Sequence, residues 1–248
     1  MTSAQKQMAD AKFYESYSRY QDDKEKYETW EEAVGRVMNV HKTFYKDKMT
    51  KELRGLIEIS ENAYREKKVL AAQRSLQFGG EQILKKHSKL YNCTSSYVDR
   101  VDFFKEGFFL MLSGCGVGFS VQTHHVDKLP TISKRGDEAI TFIVEDSIEG
   151  WADSVDALVR SFFNVESPYM SKKIYFDVSK VRPKGSYISG GFKAPGAGPL
   201  VKALNLIEDT FRKATEEGRD RLTTLEIYDT VMFIADAVIS GGKIQDQA

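Results

Sequence analysis

The feature that most constrains this chain is an alternation, in its second half, between long segments of helical period and short apolar runs. Trp151, Val155, Leu158 and Phe162 recur every three or four residues behind Asp146-x-x-Glu149, a spacing that predicts a capping box and a helix. Leu200, Leu204, Ile207 and Phe211 do the same behind Pro199, with Gly218 placed to stop the helix. Ile227, Val231, Ile234 and Val238 follow Thr223-x-x-Glu226 and precede Gly241 and Gly242. The segment from Asp102 to Leu112 is nearly all apolar, which predicts a helix covered on most sides. Residues 117–121, 139–144 and 174–178 are short apolar runs bounded by Gly, Pro or charge, and they predict strands. Strands separated by helices need crossover connections, so the expected class is α/β with a mostly parallel sheet. Residues 1–68 are polar and helix-favouring, so a helical region over 1–68 is expected ahead of an α/β domain over 69–248.

Charge narrows the function classes. Thirty-six Lys and Arg balance 36 Asp and Glu, so no global field draws the chain to nucleic acid or to an anionic membrane. Two cysteines cannot build a disulfide framework, and charges interrupt every apolar run well short of a bilayer span. The N-terminal MTSAQKQMADAKFYE has no apolar core of a signal sequence, so the expected compartment is the cytoplasm. The acids of QDDKEKYETWEE read as an exposed helical face.

Three places invite a chemical reading. Gly114-Cys-Gly116-Val-Gly118 fails as a dinucleotide fingerprint, because Phe119 stands where glycine is required and a helix precedes it; a tight turn and a ligand contact remain level. Between Ser171 and Gly198 lie six Lys and Arg against Asp177 alone, with five glycines and a helix start at the end, which suits phosphate as well as it suits a surface loop. Cys93, Cys115, His124 and His125 lack the paired spacing of a zinc site, so no metal is expected.

The order of these pieces carries more than any one of them. AAQRSLQFGG (71–80), LYNCTSSYVD (90–99), LSGCGVGFSVQTHHVDKLP (112–130), VEDSIEGW (144–151), VRPKGSYISGGFKAPGAGPL (181–200) and LEIYDTVMFIADAVISGGK (225–243) together resemble the N-terminal half of a ribonucleotide reductase catalytic chain of the adenosylcobalamin-dependent, class II branch. The resemblance implies the first half of a ten-stranded α/β barrel, with a class II-like insertion at about 121–180 between Gly118 and Gly185. It implies thiyl-radical reduction of ribonucleotides, with Cys93 as one of two reducing cysteines and Asn92, Gly116, Val117 and Gly118 against the substrate. A dithiol fits that work, since it delivers two electrons by closing to a disulfide. Asp99, Arg182, Lys184, Ser189 and Gly190 are implied to bind the deoxynucleoside triphosphate effector that selects the base, whereas Cys115 has no redox counterpart.

The family's Asn-x-Cys-x-Glu, which holds the radical cysteine and its base, does not occur in these 248 residues, nor does the cysteine pair that takes electrons from a thioredoxin-like reductant. The expectation is one part of a split or truncated reductase, inactive without a C-terminal half on a second polypeptide. The rival expectation is a catalytically silent nucleotide-binding or assembly fragment that keeps only the effector site.

Overall fold

The computed structural model describes residues 2–186 and 193–239, the side chain of Ile239 excepted. Its contacts divide the chain into two compact units that part between Asn92 and Cys93, so residues 69–92 pack with the first.

The first unit runs α1 (Ser3–Ser16), β1 (Tyr20–Gln21), β2 (Lys26–Tyr27), α2 (Trp30–Phe44), α3 (Lys51–Arg65), α4 (Gln73–Phe78) and α5 (Glu81–Lys85). Its core joins Phe13 of α1, Ala33, Val34, Val37 and Met38 of α2, Ile57 and Tyr64 of α3, and Leu76 of α4. The acidic stretch does not form the single exposed helical face that the sequence suggests. Thr29 caps α2 reciprocally with Glu32, and the residues before it turn back as the β1–β2 hairpin. Glu28 is then only 4% exposed and is gripped by both arms of Arg36, Nε to Oε1 at 2.8 Å and Nη2 to Oε2 at 2.9 Å. Arg36 also donates to the carbonyls of Gly79 and Leu76, so the pair ties the hairpin and α2 to α4. A buried carboxylate is tolerated only with such a partner.

The second unit runs β3 (Cys93–Tyr97), α6 (Asp102–Leu112), β4 (Gly116–Ser120), α7 (Thr123–Val126), β5 (Ala139–Ile143), α8 (Ile148–Phe162), β6 (Lys173–Asp177), α9 (Gly198–Glu216) and α10 (Thr224–Ile239). Strands β3 and β4 pair in parallel across α6, and β5 and β6 pair in parallel across α8, as the alternation requires. Helices α6, α8, α9 and α10 pack in a ring, each against the next. Phe103, Phe104 and Phe108 of α6 meet Leu158 and Phe162 of α8, Ile207 and Phe211 of α9, and Ile227 and Ile234 of α10, all essentially without solvent exposure. The fold is mixed α/β, and among the described residues each sheet has two strands.

Helix ends follow local chemistry. Ser147, not Asp146, caps α8, its hydroxyl accepting from the Gly150 amide at 3.0 Å. Asp146 lies one residue too early and binds Arg182 instead. Thr223 and Glu226 form the expected capping box at α10. Gly218, at φ 75°, ends α9 with Arg219 N to Ala214 O at 3.0 Å and its own amide to Thr215 O at 3.2 Å, a Schellman turn that glycine enters without strain. Gly241 and Gly242 lie outside the described residues.

Candidate functional site

Cys93 opens β3 and Gly116 opens β4, and the parallel register sets them side by side: Cys93 beside Gly116, Thr94 beside Val117, Ser95 beside Gly118. Twenty-three positions of sequence are closed by one helical crossover. Alternation of the strand turns Cys93, Ser95 and Tyr97 to one exposed face together with Gly116 and Gly118, while Val117 is half-buried and Phe119 packs on the core. Cys93 is thus an exposed thiol, in contrast to the inert, buried site that is the usual lot of a lone cysteine. Cys115 is the buried one, 4% exposed, with its Sγ 3.6 Å from the carbonyl of Gly116.

Without side chains at 116 and 118, this face carries a shallow strip of bare backbone beside the thiol. A Cβ built on Gly118 would lie 3.6 Å from the Thr94 carbonyl oxygen and 4.0 Å from the Ser95 Cβ, ordinary contacts that do not demand glycine for the sake of the fold. Gly118 therefore has no packing reason to be glycine. Within the first unit, Asn92 is held by Arg74, whose Nε and Nη2 donate to its Oδ1 at 3.2 and 3.1 Å. Arg74 comes from the AAQRSLQFGG stretch, and sequence reasoning did not single it out.

The other end of β3 carries a second group. Asp99 accepts from Arg100 Nη1 at 3.0 Å and lies 3.9 Å from Lys128 Nζ, and Arg100 turns its remaining arm to Glu106 and to Ser96 Oγ. The Tyr97 and His125 rings stand 4.4 Å apart, His125 Nδ1 is 3.1 Å from Ser120 Oγ, and the His124 ring is 4.0 Å from that of His125. Burial, then the neighbouring His124 and Lys128, hold the His125 imidazole below its ordinary pKa against the opposing pull of Asp99. The adjacent histidines signalled something in the sequence, but only their spacing as metal ligands was weighed.

The basic segment changes most on folding. Lys172 pairs with Glu138 at 2.8 Å, Lys173 with Asp137 at 3.1 Å, Lys180 with Glu145 at 2.5 Å and Arg182 with Asp146 at 2.6 Å. The parallel pairing of β5 with β6 brings these acids from the strand ends of β5, so the charge that looked unbalanced along the sequence is largely matched in space. Lys184 and Lys193 are the cations left outside these pairs. Gly185 donates to Ala194 O at 2.8 Å and Ala194 to Ser186 O at 2.7 Å, closing the neck of the loop. Gly196, at φ 74°, sits where a Cβ would come 3.0 Å from the Lys184 amide nitrogen. Ser189 and Gly190 lie outside the described residues.

The family model for the B12-dependent ribonucleotide reductase insertion domain matches residues 118–211, a span that contains the stretch 121–180. An adenosylcobalamin-dependent ribonucleoside-triphosphate reductase of Lactobacillus gasseri is 24% identical across 91% of this chain and 38% of its own length. A reductase of Levilactobacillus brevis with the same name is 26% identical across 91% of this chain and 38% of its own length. The crystal structure of a B12-dependent, class II ribonucleotide reductase superposes with a TM-score of 0.78 over 92% of this chain, at 22% identity, and 40% of that chain is covered.

The chain resembles the N-terminal part of class II ribonucleotide reductases in sequence and in fold.

The fold similarity extends over both units, and the matched insertion family includes β5, α8, β6 and most of α9. The chain spans under two fifths of the length of the reductases it matches.

Proposed function

We propose that this chain is the N-terminal portion of a ribonucleotide reductase and supplies one reducing thiol, the floor of the substrate site and the effector loop. The observation that carries the proposal is the register of β3 with β4, which sets the exposed Cys93 thiol against the side-chain-free strip at Gly116 and Gly118. A nucleoside laid on that strip comes close to backbone and has a thiol at its edge. Asn92, next to that cysteine in sequence, is held through its Oδ1 by Arg74. Cys93 and the second reducing cysteine would together lose two electrons and two protons in closing to a disulfide, while the ribose 2′ C–O bond breaks, its oxygen leaves as water and a C–H bond takes its place.

The sheets support an unfinished barrel. Parallel strands occur almost always in sheets covered on both faces, yet β3–β4 is a pair with Cys93, Ser95 and Tyr97 exposed on one side. The rest of a ten-stranded barrel would cover that face and bring the radical cysteine, its glutamate and the second reducing cysteine to Cys93. Adenosylcobalamin, when bound, supplies the radical. The sites for the cofactor and for a thioredoxin-like reductant are proposed to lie with the rest of the barrel.

The test is reconstitution. This chain, mixed with a polypeptide bearing the Asn-x-Cys-x-Glu motif and given adenosylcobalamin, a dithiol and a ribonucleoside triphosphate, should yield deoxynucleotide that neither component yields alone. Deoxynucleotide from this chain alone would refute the proposal. A mixture in which the partner's turnover is indifferent to this chain would favour the silent effector-binding fragment.

A further inference from the structure

The effector reading leaves a deficit of charge. A deoxynucleoside triphosphate brings three or four negative charges, but Arg182 already faces Asp146 and three neighbouring lysines face Glu138, Asp137 and Glu145, so outside these pairs the basic segment offers two cations, Lys184 and Lys193. Around Asp99, Arg100 is divided between Asp99 and Glu106. Beside them stand Lys128, well exposed and joined to Asp99 by a long ion pair of 3.9 Å, and the two adjacent imidazoles of His124 and His125. We propose that the face formed by His124, His125 and Lys128 at the C-terminal ends of β3 and β4 receives the phosphates of the effector, and that His125 takes up a proton when they bind. The inference rests on the effector site lying at Asp99.

The geometry gives His125 a fixed position from which to do this. Its ring lies against Tyr97 of β3, its Nδ1 is at hydrogen-bond distance from Ser120 of β4, and His124 crowds it from the same turn. The groups that face it are Tyr97 and Asp99 from β3, Ser120 from β4, and His124 and Lys128 from α7 and the turn after it. From α10, which packs on α7, Glu226 is engaged by Arg219 and Tyr228 lies against Phe119. With two cationic or cation-forming neighbours and one acid, the free site disfavours the imidazolium. Phosphate reverses that balance, because an anion at the exposed side of His124 and Lys128 favours the charged ring. Once protonated, the ring donates from both nitrogens, one toward Ser120 and one toward the ligand. Linkage fixes the sign: the bound complex holds more protons than the free protein, so affinity rises as pH falls from the bound-state pKa toward the free-state pKa.

The experiment is calorimetric titration of the full chain with each of the four deoxynucleoside triphosphates at several pH values, in two buffers of different protonation enthalpy, with NMR of the His125 imidazole in parallel. The expected result is net proton uptake on binding and an affinity gain of up to about tenfold per pH unit for one proton. His125→Gln should lower that uptake, after correction for the ligand's own titration, while the NMR signal in the unsubstituted protein should titrate at higher pH with ligand than without. An imidazole pKa unmoved by ligand, or uptake identical in His125→Gln, overturns this inference and leaves effector binding intact. No binding of any deoxynucleotide at any pH overturns the effector site itself.

Discussion

Gly118→Ala separates a glycine kept for the fold from one kept for a ligand. The added methyl group meets the Thr94 carbonyl oxygen at 3.6 Å and the Ser95 Cβ at 4.0 Å, both ordinary van der Waals distances, and the backbone at 118 is not left-handed. Replacing glycine by alanine where the conformation allows it stabilises by about 0.4 to 1 kcal/mol, through lost freedom of the unfolded chain. Urea unfolding of the chain should therefore show unchanged or slightly raised stability. The same methyl group stands on the exposed strip beside Cys93, where a substrate would have to approach the backbone, so reductase turnover in the reconstituted complex should fall by roughly a hundredfold if about 2.7 kcal/mol of substrate positioning is lost. A variant destabilised by more than about 2 kcal/mol would show that the strand packs glycine for structural reasons. A stable variant with full turnover would show that the strip is not the substrate floor.

Arg36→Met should destabilise the first unit by about 3 to 5 kcal/mol in urea unfolding, since it strands the buried Glu28 carboxylate, whereas the double change with Glu28→Gln should recover much of the loss. Glu226 is held down to about 2 by Arg219, with Thr223 helping, so its contribution is fully present above the ordinary carboxylate range and is lost as pH falls through about 2. Because the pair is partly exposed, Glu226→Gln should cost about 1 to 2 kcal/mol near neutral pH and almost nothing at acid pH, and an equal cost at both would contradict this. Arg182→Ala should weaken effector binding about tenfold in calorimetry. Asp146→Asn, which removes Arg182's competing partner, should leave binding equal or tighter, and weaker binding would show that the ion pair positions the loop.

What could be read in the sequence was what depends on neighbours along the chain. The helices of the second unit announce themselves by apolar spacing, and β4, β5 and β6 begin within one residue of the apolar runs that predicted them. Where the sequence misled, the deciding partner was distant. Asp146-x-x-Glu149 suggests a cap at Asp146, but Ser147 caps the helix and Asp146 pairs with Arg182, thirty-six positions on. Glu28 lies in an acidic run that suggests solvent, but Arg36 and the turn of the hairpin bury it. The basic segment looks unbalanced until β5 lies beside β6 and delivers four acids from residues 137–146. Gly116 stands out as part of a glycine-rich turn and Cys93 takes a role only through the resemblance, whereas their adjacency follows from a parallel register that no local pattern encodes. Arg74 and the Tyr97–His125 contact were missed for the same reason.

The most direct test compares two thiols in the reconstituted reductase. Cys93 opens β3 and is exposed beside the glycine strip, whereas Cys115, the residue before β4, is buried. Deoxynucleotide formation with a dithiol reductant should vanish in Cys93→Ser, because a hydroxyl cannot close to a disulfide, and should persist at most of its rate in Cys115→Ser, which changes only a small buried group. Turnover surviving in Cys93→Ser, or equal losses in the two variants, would contradict the assignment of Cys93 as the reducing thiol.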